Sequence, residues 1–461
     1  MLTLRSVLIV FVVAALAAVQ LPGKSFGARE GSPAGVATAP PGSPVAVSPS
    51  DEGIIRKGEL LTLQRAVAIA AMRQPNIIAA QSTIAVNESR VGQAKSNYYP
   101  QISASSGYSR IKPVAPATTR STTVVGSAVD SFTGSVALTQ NIYDFGRTSA
   151  LVDIQKLNTN ASRSDLENTA EQIVLNVKQA YYSVLQASRN RAVAEESVKQ
   201  FQQHLEQARG FYEVGTKSRF DVTKAEVDLS NAQLNLIRAD NTLKTTRVNL
   251  NNAMGVPDAP EYALEDTLAF RKYDITFDEA VARAFNNRPD IQAIVTRRRA
   301  AEENINLANR NYYPTLTGNA AYNWGGAKFP LGEGWTVGAL VNLPIFSGFL
   351  TKSQVSEAKA NLNVVRANED LLRQNVLLDV QQAYLNLKEA ENRIPTAELA
   401  VKQATENLDI ANGRYAAGVG NPLEVTDAQV GYSNAKITYT QALSDYKVAQ
   451  AALEKAMGVR Q

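Results

Sequence analysis

The chain contains one long unit written twice. Residues 61–256 and 275–459 carry the same landmarks in the same order. The stretch from Leu61 to Val67 answers the stretch from Ile275 to Val281, and Asn97-Tyr98-Tyr99-Pro100 answers Asn311-Tyr312-Tyr313-Pro314, both at an offset of 214. Beyond a central insert the offset becomes 203. It pairs Val177…Tyr181 with Val380…Tyr384, Tyr212…Gly215 with Tyr415…Gly418, and Met254-Gly255-Val256 with Met457-Gly458-Val459. A single change of length, between the Tyr-Tyr-Pro motifs and the following helices, therefore separates the copies. A tandem repeat this long, built of helices around one short insert, requires two halves that fold alike.

Composition removes whole classes of function. Cysteine is absent, which excludes disulfides, thiolate metal sites and cysteine acylation. His204 is the sole histidine, so a His-based metal cluster or a Ser-His-Asp triad would have to use it. No Gly-rich phosphate loop, metal-ligand spacing or nucleophile motif occurs, and paired carboxylates fall on long helices where solvated faces explain them. No catalytic residue, cofactor or metal is expected. A net charge of +4 without a basic run argues against nucleic acid as a partner. A mean hydropathy of −0.19 excludes a polytopic helical membrane protein.

The N-terminus differs from the body. Arg5 precedes an apolar run from Val7 to Val19, too short to span a bilayer comfortably, and Ser25-Phe26-Gly27 follows. Residues 1–27 read as a secretory signal peptide, with an N-terminal anchor as the alternative; either takes the body out of the cytoplasm. Residues 28–60, with five prolines between positions 31 and 50, read as a flexible segment. Residues 257–274 link the copies.

Within each copy, apolar stripes at helical spacing mark very long helices over about 147–212 and 350–415. At roughly 1.5 Å per residue each is about 100 Å long. Such helices need neighbours along their whole length. Helices over about 76–97 and 218–253, and 290–311 and 421–456, have nearly the summed length to stack end to end alongside each long one. Pro395 falls inside the second long helix and should kink it or end a segment. Thr276-Phe-Asp-Glu279 fits a capping box, whereas Thr62 has Arg65 at the partner position.

The inserts, about 101–143 and 315–349, alternate with period two. Phe132, Gly134, Val136 and Leu138 interleave with Thr133, Ser135, Ala137 and Thr139, and residues 316–324 and 335–343 do the same. Their only charges are Arg110, Lys112, Arg120, Asp130, Lys328 and Glu333, far below the 20% of the whole chain. Strands of about ten residues, one face apolar and the other small and polar, suit a transmembrane β-barrel, although a surface hairpin also alternates. Four strands cannot close a barrel, and lipid does not tolerate open edges, so other copies must complete it. Eight strands from a dimer would fill their interior; twelve from a trimer leave a lumen, which the small polar face prefers.

On these residues the body resembles the TolC-like outer-membrane efflux and secretion channels. The resemblance rests on the repeat order, the Asn-Tyr-Tyr-Pro motifs, Leu138-Thr-Gln-Asn-Ile-Tyr-Asp-Phe-Gly146, and the two helix turns Tyr212-Glu-Val-Gly215-Thr-Lys-Ser218 and Tyr415-Ala-Ala-Gly418-Val-Gly-Asn421. It implies a mostly α fold with a small β part: two tandem coiled-coil repeats, each giving a β-hairpin to a trimeric twelve-stranded barrel above an α-helical periplasmic tunnel. It implies a homotrimer in outer membrane lipid, spanning into the periplasm of a Gram-negative type envelope. A periplasmic adaptor would dock at the turns, bound to an inner-membrane ABC or proton-driven transporter. The function implied is a passive exit duct for an efflux pump or a type I secretion system; the alternative is a non-conducting coiled-coil scaffold or tether.

The resemblance also assigns residues. Gly215, Ser218, Gly418 and Asn421 would lie in the adaptor-docking turns, where the glycines also serve plain chain reversal. Tyr415 would reach Asp221 to close the tip, while Asp221 and Glu424 also suit the first turns of their helices by dipole alone. Glu424 and Asp427 would ring the constriction, six carboxylates in three copies, favouring cations. Gly420 departs from the family, where a relative carries an arginine of the closing network, and Pro422 stiffens that turn. Tyr98, Tyr99, Tyr312 and Tyr313 would mark one membrane interface, and Trp324 and Trp335 stand near strand ends. His204 reads as a solvated or interhelical residue.

Overall fold

The computed structural model describes residues 55–112 and 128–459. The signal peptide reading and the segment up to residue 54 lie outside the described residues. Residues 55–60, expected as the end of a flexible segment, are instead ordered. Ile55 is buried, and strand β1 (Leu60–Leu61) pairs in parallel with β4 (Ala263–Leu264) of the linker between the copies.

Each copy runs through the same elements. The first has helices α1 (Leu63–Arg73) and α2 (Pro75–Lys95), strands β2 (Gln101–Ile111) and β3 (Val129–Tyr143), then helices α3 (Arg147–Glu213) and α4 (Arg219–Met254). The second has α5 (Phe277–Asn287), α6 (Pro289–Arg310), β5 (Thr315–Gly326), β6 (Gly332–Asn342), α7 (Leu350–Ala416) and α8 (Pro422–Ala456). Local chemistry sets the starts. Thr62 and Thr276 accept from the backbone N–H groups of Arg65 and Glu279, and Pro75 and Pro289 occupy first-turn positions where no N–H is needed. Helix α7 continues through Pro395, so the proline ends no segment. Its ring lies on the exposed side, while Ile394 and Ala397 beside it are buried and hold the helix to its neighbours.

The short helices stack end to end along the long ones. At the first junction, Gln74 Nε2 donates to the Asn252 and Ala253 carbonyls at the end of α4, at 3.3 and 3.1 Å. At the second, Arg288 Nη1 donates to the Ala456 carbonyl ending α8, at 3.5 Å. These side chains satisfy carbonyls that a helix end leaves unpaired. Gly255 (φ +73°) and Gly458 (φ +66°) permit the approach: a Cβ at either would stand 2.8 Å from the backbone of Arg73 or Arg288.

Two equivalent cores lie at these junctions. Ile69, Val177, Tyr181, Val184, Leu250 and Met254 form one; Val376, Val380, Leu387, Leu443, Tyr446 and Leu453 form the other. Both pin the linker through a tyrosine. Tyr181 donates to the Leu61 and Glu265 carbonyls, and Tyr446 donates to the Arg271 carbonyl while accepting from Tyr273 N–H. Helix α3 packs against α1, α2, α4, α6 and α8, so it is the spine that joins the copies.

The inserts make one antiparallel sheet, in the order β2-β3-β5-β6. Its register puts Ala104, Val136, Tyr322 and Trp335 in one row, and Ile102, Leu138, Ala320 and Val337 in the next. The opposite face carries Ser105, Ser135, Asn323 and Gly334, then Gln101, Thr139, Asn319 and Gly338. Strands β2 and β6 form the two edges of the sheet among the described residues.

Candidate functional site

The turns after α3 and α7 are brought together at the end of the helices farthest from the sheet. In the first, Gly215 takes φ +80°, and the Thr216 N–H and hydroxyl both donate to the Phe211 carbonyl at 2.9 Å. Ser218 and Asp221 then form a reciprocal capping box at the start of α4. In the second, Gly418 takes φ +77°, and the Val419 and Gly420 N–H groups donate to the Arg414 carbonyl at 3.1 and 2.9 Å. Asn421 caps α8 by accepting from Leu423 N–H at 3.0 Å, with Pro422 in the first turn. Lys217 bridges the turns, donating from Nζ to the Gly420 carbonyl at 3.3 Å.

Gly420, the expected departure from the family pattern, has a backbone reason. A Cβ there would stand 2.7 Å from Tyr415 N and 2.9 Å from the Arg414 carbonyl carbon. The turn folds back so tightly on α7 that an arginine would require a different turn.

Within one chain, the residues expected at the tip have the following partners. Tyr415 is 1% exposed and packs against His204 and Phe211, with ring centroids 4.7 and 5.7 Å away. Its hydroxyl is buried without a hydrogen-bond partner. Asp221 is close enough to push the phenol's pKa up, after the larger effect of burial, yet its carboxylate is bonded to Ser218. Glu424 and Asp427 lie one turn apart on the exposed face of α8. Glu424 is not a lone charge, since Arg414 Nε donates to it at 3.2 Å.

Beneath the turns lies a group in which His204 takes the interhelical of its two expected settings, and Asp228, Thr426 and Glu196 were not singled out from the sequence. His204 is 6% exposed, and burial depresses its pKa, with Asp228 opposing and Lys224 adding to the depression. Asp228 is itself buried, accepting from Lys224 Nζ within 2.6 Å and from the Thr426 hydroxyl at 2.8 Å, which ties α4 to α8. Above it, Glu196 on α3 accepts from Tyr432 and Lys436 of α8 at 3.1 and 2.8 Å. The signal was present: Phe201, His204, Leu205 and Ala208 fall at helical spacing, which puts the histidine on the buried stripe.

The aromatics expected at a membrane interface form two tiers. Tyr98, Tyr99, Tyr312 and Tyr313 are half-exposed at the helix-to-strand junctions, where Tyr313 stacks on Phe145 at 5.6 Å. Trp324 and Trp335 lie at the other end of the sheet, opposite Glu333 and Tyr322. Near the first tier Ile345 and Phe346, which sequence reasoning did not single out, are 92% and 75% exposed.

A family model described as Outer membrane efflux protein matches residues 67–256 and 280–459. Outer membrane efflux protein BepC of Brucella suis is 28% identical over 405 residues, covering 86% of this chain and 85% of that protein. Outer membrane protein TolC of Vibrio cholerae is 24% identical over 341 residues, covering 71% and 77%. Among solved structures, the Campylobacter jejuni CmeC outer membrane channel shares the fold with a TM-score of 0.73 at 17% identity, over 92% of this chain and 94% of that one.

Proposed function

The chain belongs to the outer membrane efflux protein family, a family of outer-membrane channels rather than enzymes, and we propose that three copies form the exit duct of a tripartite pump. The observation that carries this reading is the pair of surfaces one chain leaves unmatched. The sheet ends in two edges, β2 and β6, which join between neighbouring copies into a closed twelve-stranded barrel. Exposed apolar residues recur along α7 at Val364, Leu371, Leu378, Leu385 and Leu399, in steps of seven or fourteen. A complementary set lies on α4 and α2: Val227, Leu234, Val248, Ile78 and Val86.

The heights agree. At the helical rise, Val227, Leu234 and Val248 stand roughly 12, 22 and 44 Å above Arg219, where α4 starts from the tip. On the same rise, Ile410, Leu399 and Leu385 stand roughly 9, 26 and 46 Å above Ala416, where α7 reaches the tip. Taken in order, the members of each pair differ by only about 3 Å. The seam therefore runs α7 of one copy along α4 and α2 of the next.

The apolar sheet face meets lipid and the Ser/Thr/Asn face lines the lumen. From Tyr313 to Trp324 is about 36 Å along a strand and about 28 Å in height at a tilt of ~40°, close to an apolar band of about 25 Å. The two tiers are then the inner and outer membrane interfaces. At the far end the turns around Gly215, Ser218, Gly418 and Asn421 receive a periplasmic adaptor, and Glu424 and Asp427 with Tyr415 and Asp221 form the constriction. Conduction is passive, and the inner-membrane transporter selects the substrate, whether a small molecule or a type I secreted protein.

Single-channel recording of the purified protein in a planar bilayer tests this, beside a Glu424→Ala/Asp427→Ala variant. Discrete cation-selective currents that lose selectivity in the variant support duct and constriction together. A membrane-inserted protein that passes no current with its tip removed supports the scaffold instead.

A further inference from the structure

We propose that His204 is an acid-sensitive latch for the periplasmic tip: its neutral ring holds Tyr415 and the second turn closed, and its protonation releases them. The inference rests on the reading of the tip as the constriction. Tyr415 is the last buried side chain of α7 before the turn, and His204 and Phe211 of α3 hold its ring. The turn beyond it is fastened by backbone bonds to Arg414 and by Lys217 on Gly420. Releasing Tyr415 therefore frees the segment that carries Gly420 and leads into Glu424.

The pocket favours an imidazole over an imidazolium on balance, with burial and Lys224 set against Asp228 and Asp221, which favour the charged ring. From α4 it meets Lys224, a like charge, and Asp228, whose carboxylate is already bonded to Lys224 and Thr426. Asp221, also on α4, is committed to its capping box. From α7 comes the Tyr415 ring, and over that ring from the first turn lies Lys217, a second cation, 5.6 Å from its centroid. On helix α8, the Thr426 hydroxyl donates to Asp228.

Burial holds the His204 pKa below its ordinary value in this packing, which the latch takes as the closed form. Opening returns the ring to water and to a pKa of about 6.5. Above about pH 7 both forms are neutral and pH has no effect. Below about 6.5 the open form takes up the proton first, so the open-to-closed ratio rises by up to about tenfold per pH unit for each chain. It levels off once the closed form is protonated too.

The chain's single histidine makes the test direct. With a histidine-free tag, one imidazole resonance is followed by NMR while open probability is recorded between pH 7.5 and 5.0. The expected results are a His204 titration below the ordinary value, its return to that value in Tyr415→Ala, and an open probability that rises with acid. His204→Phe, which fills the site without titrating, should flatten that rise; His204→Gln serves if the phenylalanine variant fails to assemble. An acid response retained in either variant overturns the latch, as does an ordinary titration in the native protein. A current insensitive to pH but altered by Glu424→Ala/Asp427→Ala overturns the latch and leaves the constriction standing. A current insensitive to both removes the constriction reading beneath it.

Discussion

Lys178 and Glu454 join the two repeats through a charge pair taken almost wholly out of water. Lys178 lies on α3, Glu454 on α8, Nζ stands 2.8 Å from Oε2, and the side chains are 9% and 11% exposed. At such a site the attraction roughly balances the desolvation of two ions, so the pair is worth little against an apolar pair of similar volume. Breaking it is another matter. Lys178→Met takes the nearest cation from a buried carboxylate, and breaking a buried pair costs about 3–5 kcal/mol when nothing else compensates the charge. Gln450 still donates to Glu454 Oε1 at 3.0 Å and Lys447 still acts on the carboxylate, which places the expected loss at or below the lower end, about 3 kcal/mol. Lys178→Met/Glu454→Leu removes both charges and should recover most of that loss. Urea unfolding of all four proteins in one detergent closes the cycle, read from midpoints at constant slope. A single variant costing under about 1 kcal/mol, or a double variant as unstable as the single, would refute the reasoning.

Other perturbations test other parts of the account. Gly255→Ala should cost about 2–3 kcal/mol, because strain at positive φ adds to a backbone clash with Arg73; Gly215→Ala, at similar φ with open space around it, should cost about 1 kcal/mol. Equal shifts in urea midpoint would discard the stacking argument. Arg414→Gln removes the cation beside Glu424 and should make the channel more cation-selective, seen as a larger reversal potential in a salt gradient. Leu385→Glu puts a charge into the seam and should leave a monomer in size-exclusion chromatography; an intact trimer would mean that α7 docks elsewhere.

Much of the architecture was legible because the sequence writes it twice. The long helices begin and end within a residue or two of where the apolar stripes put them, and the strands follow the period-two runs. End-to-end stacking was readable from lengths alone, but its agents were not. Gln74 and Arg288 act across sequence separations of 179 and 168, where no local pattern points. Pro395 ends no segment, because the rule for proline is local while Ile394 and Ala397 beside it are buried in the core. Residues 55–60 looked like linker because so short a parallel pairing leaves no periodic trace. At the tip, the resemblance pointed to the acids, and the repeat itself pointed to the turn glycines. Neither could show that Arg414 pairs with Glu424 or that Tyr415 turns its ring to His204, since both pairings join residues that are distant in sequence or lie across the turn.

The central claim is that three copies close a ring through the seam of α7 against α4. Because the chain lacks cysteine, a Val248→Cys/Leu385→Cys protein carries only the two thiols placed at matching heights on that seam. Oxidised in the membrane and run on a denaturing, non-reducing gel, it should give covalent dimer and trimer with nothing larger, while each single variant stays monomeric. A ladder beyond three, or monomer alone from a protein whose thiols react with a small maleimide, would contradict the closed three-fold duct.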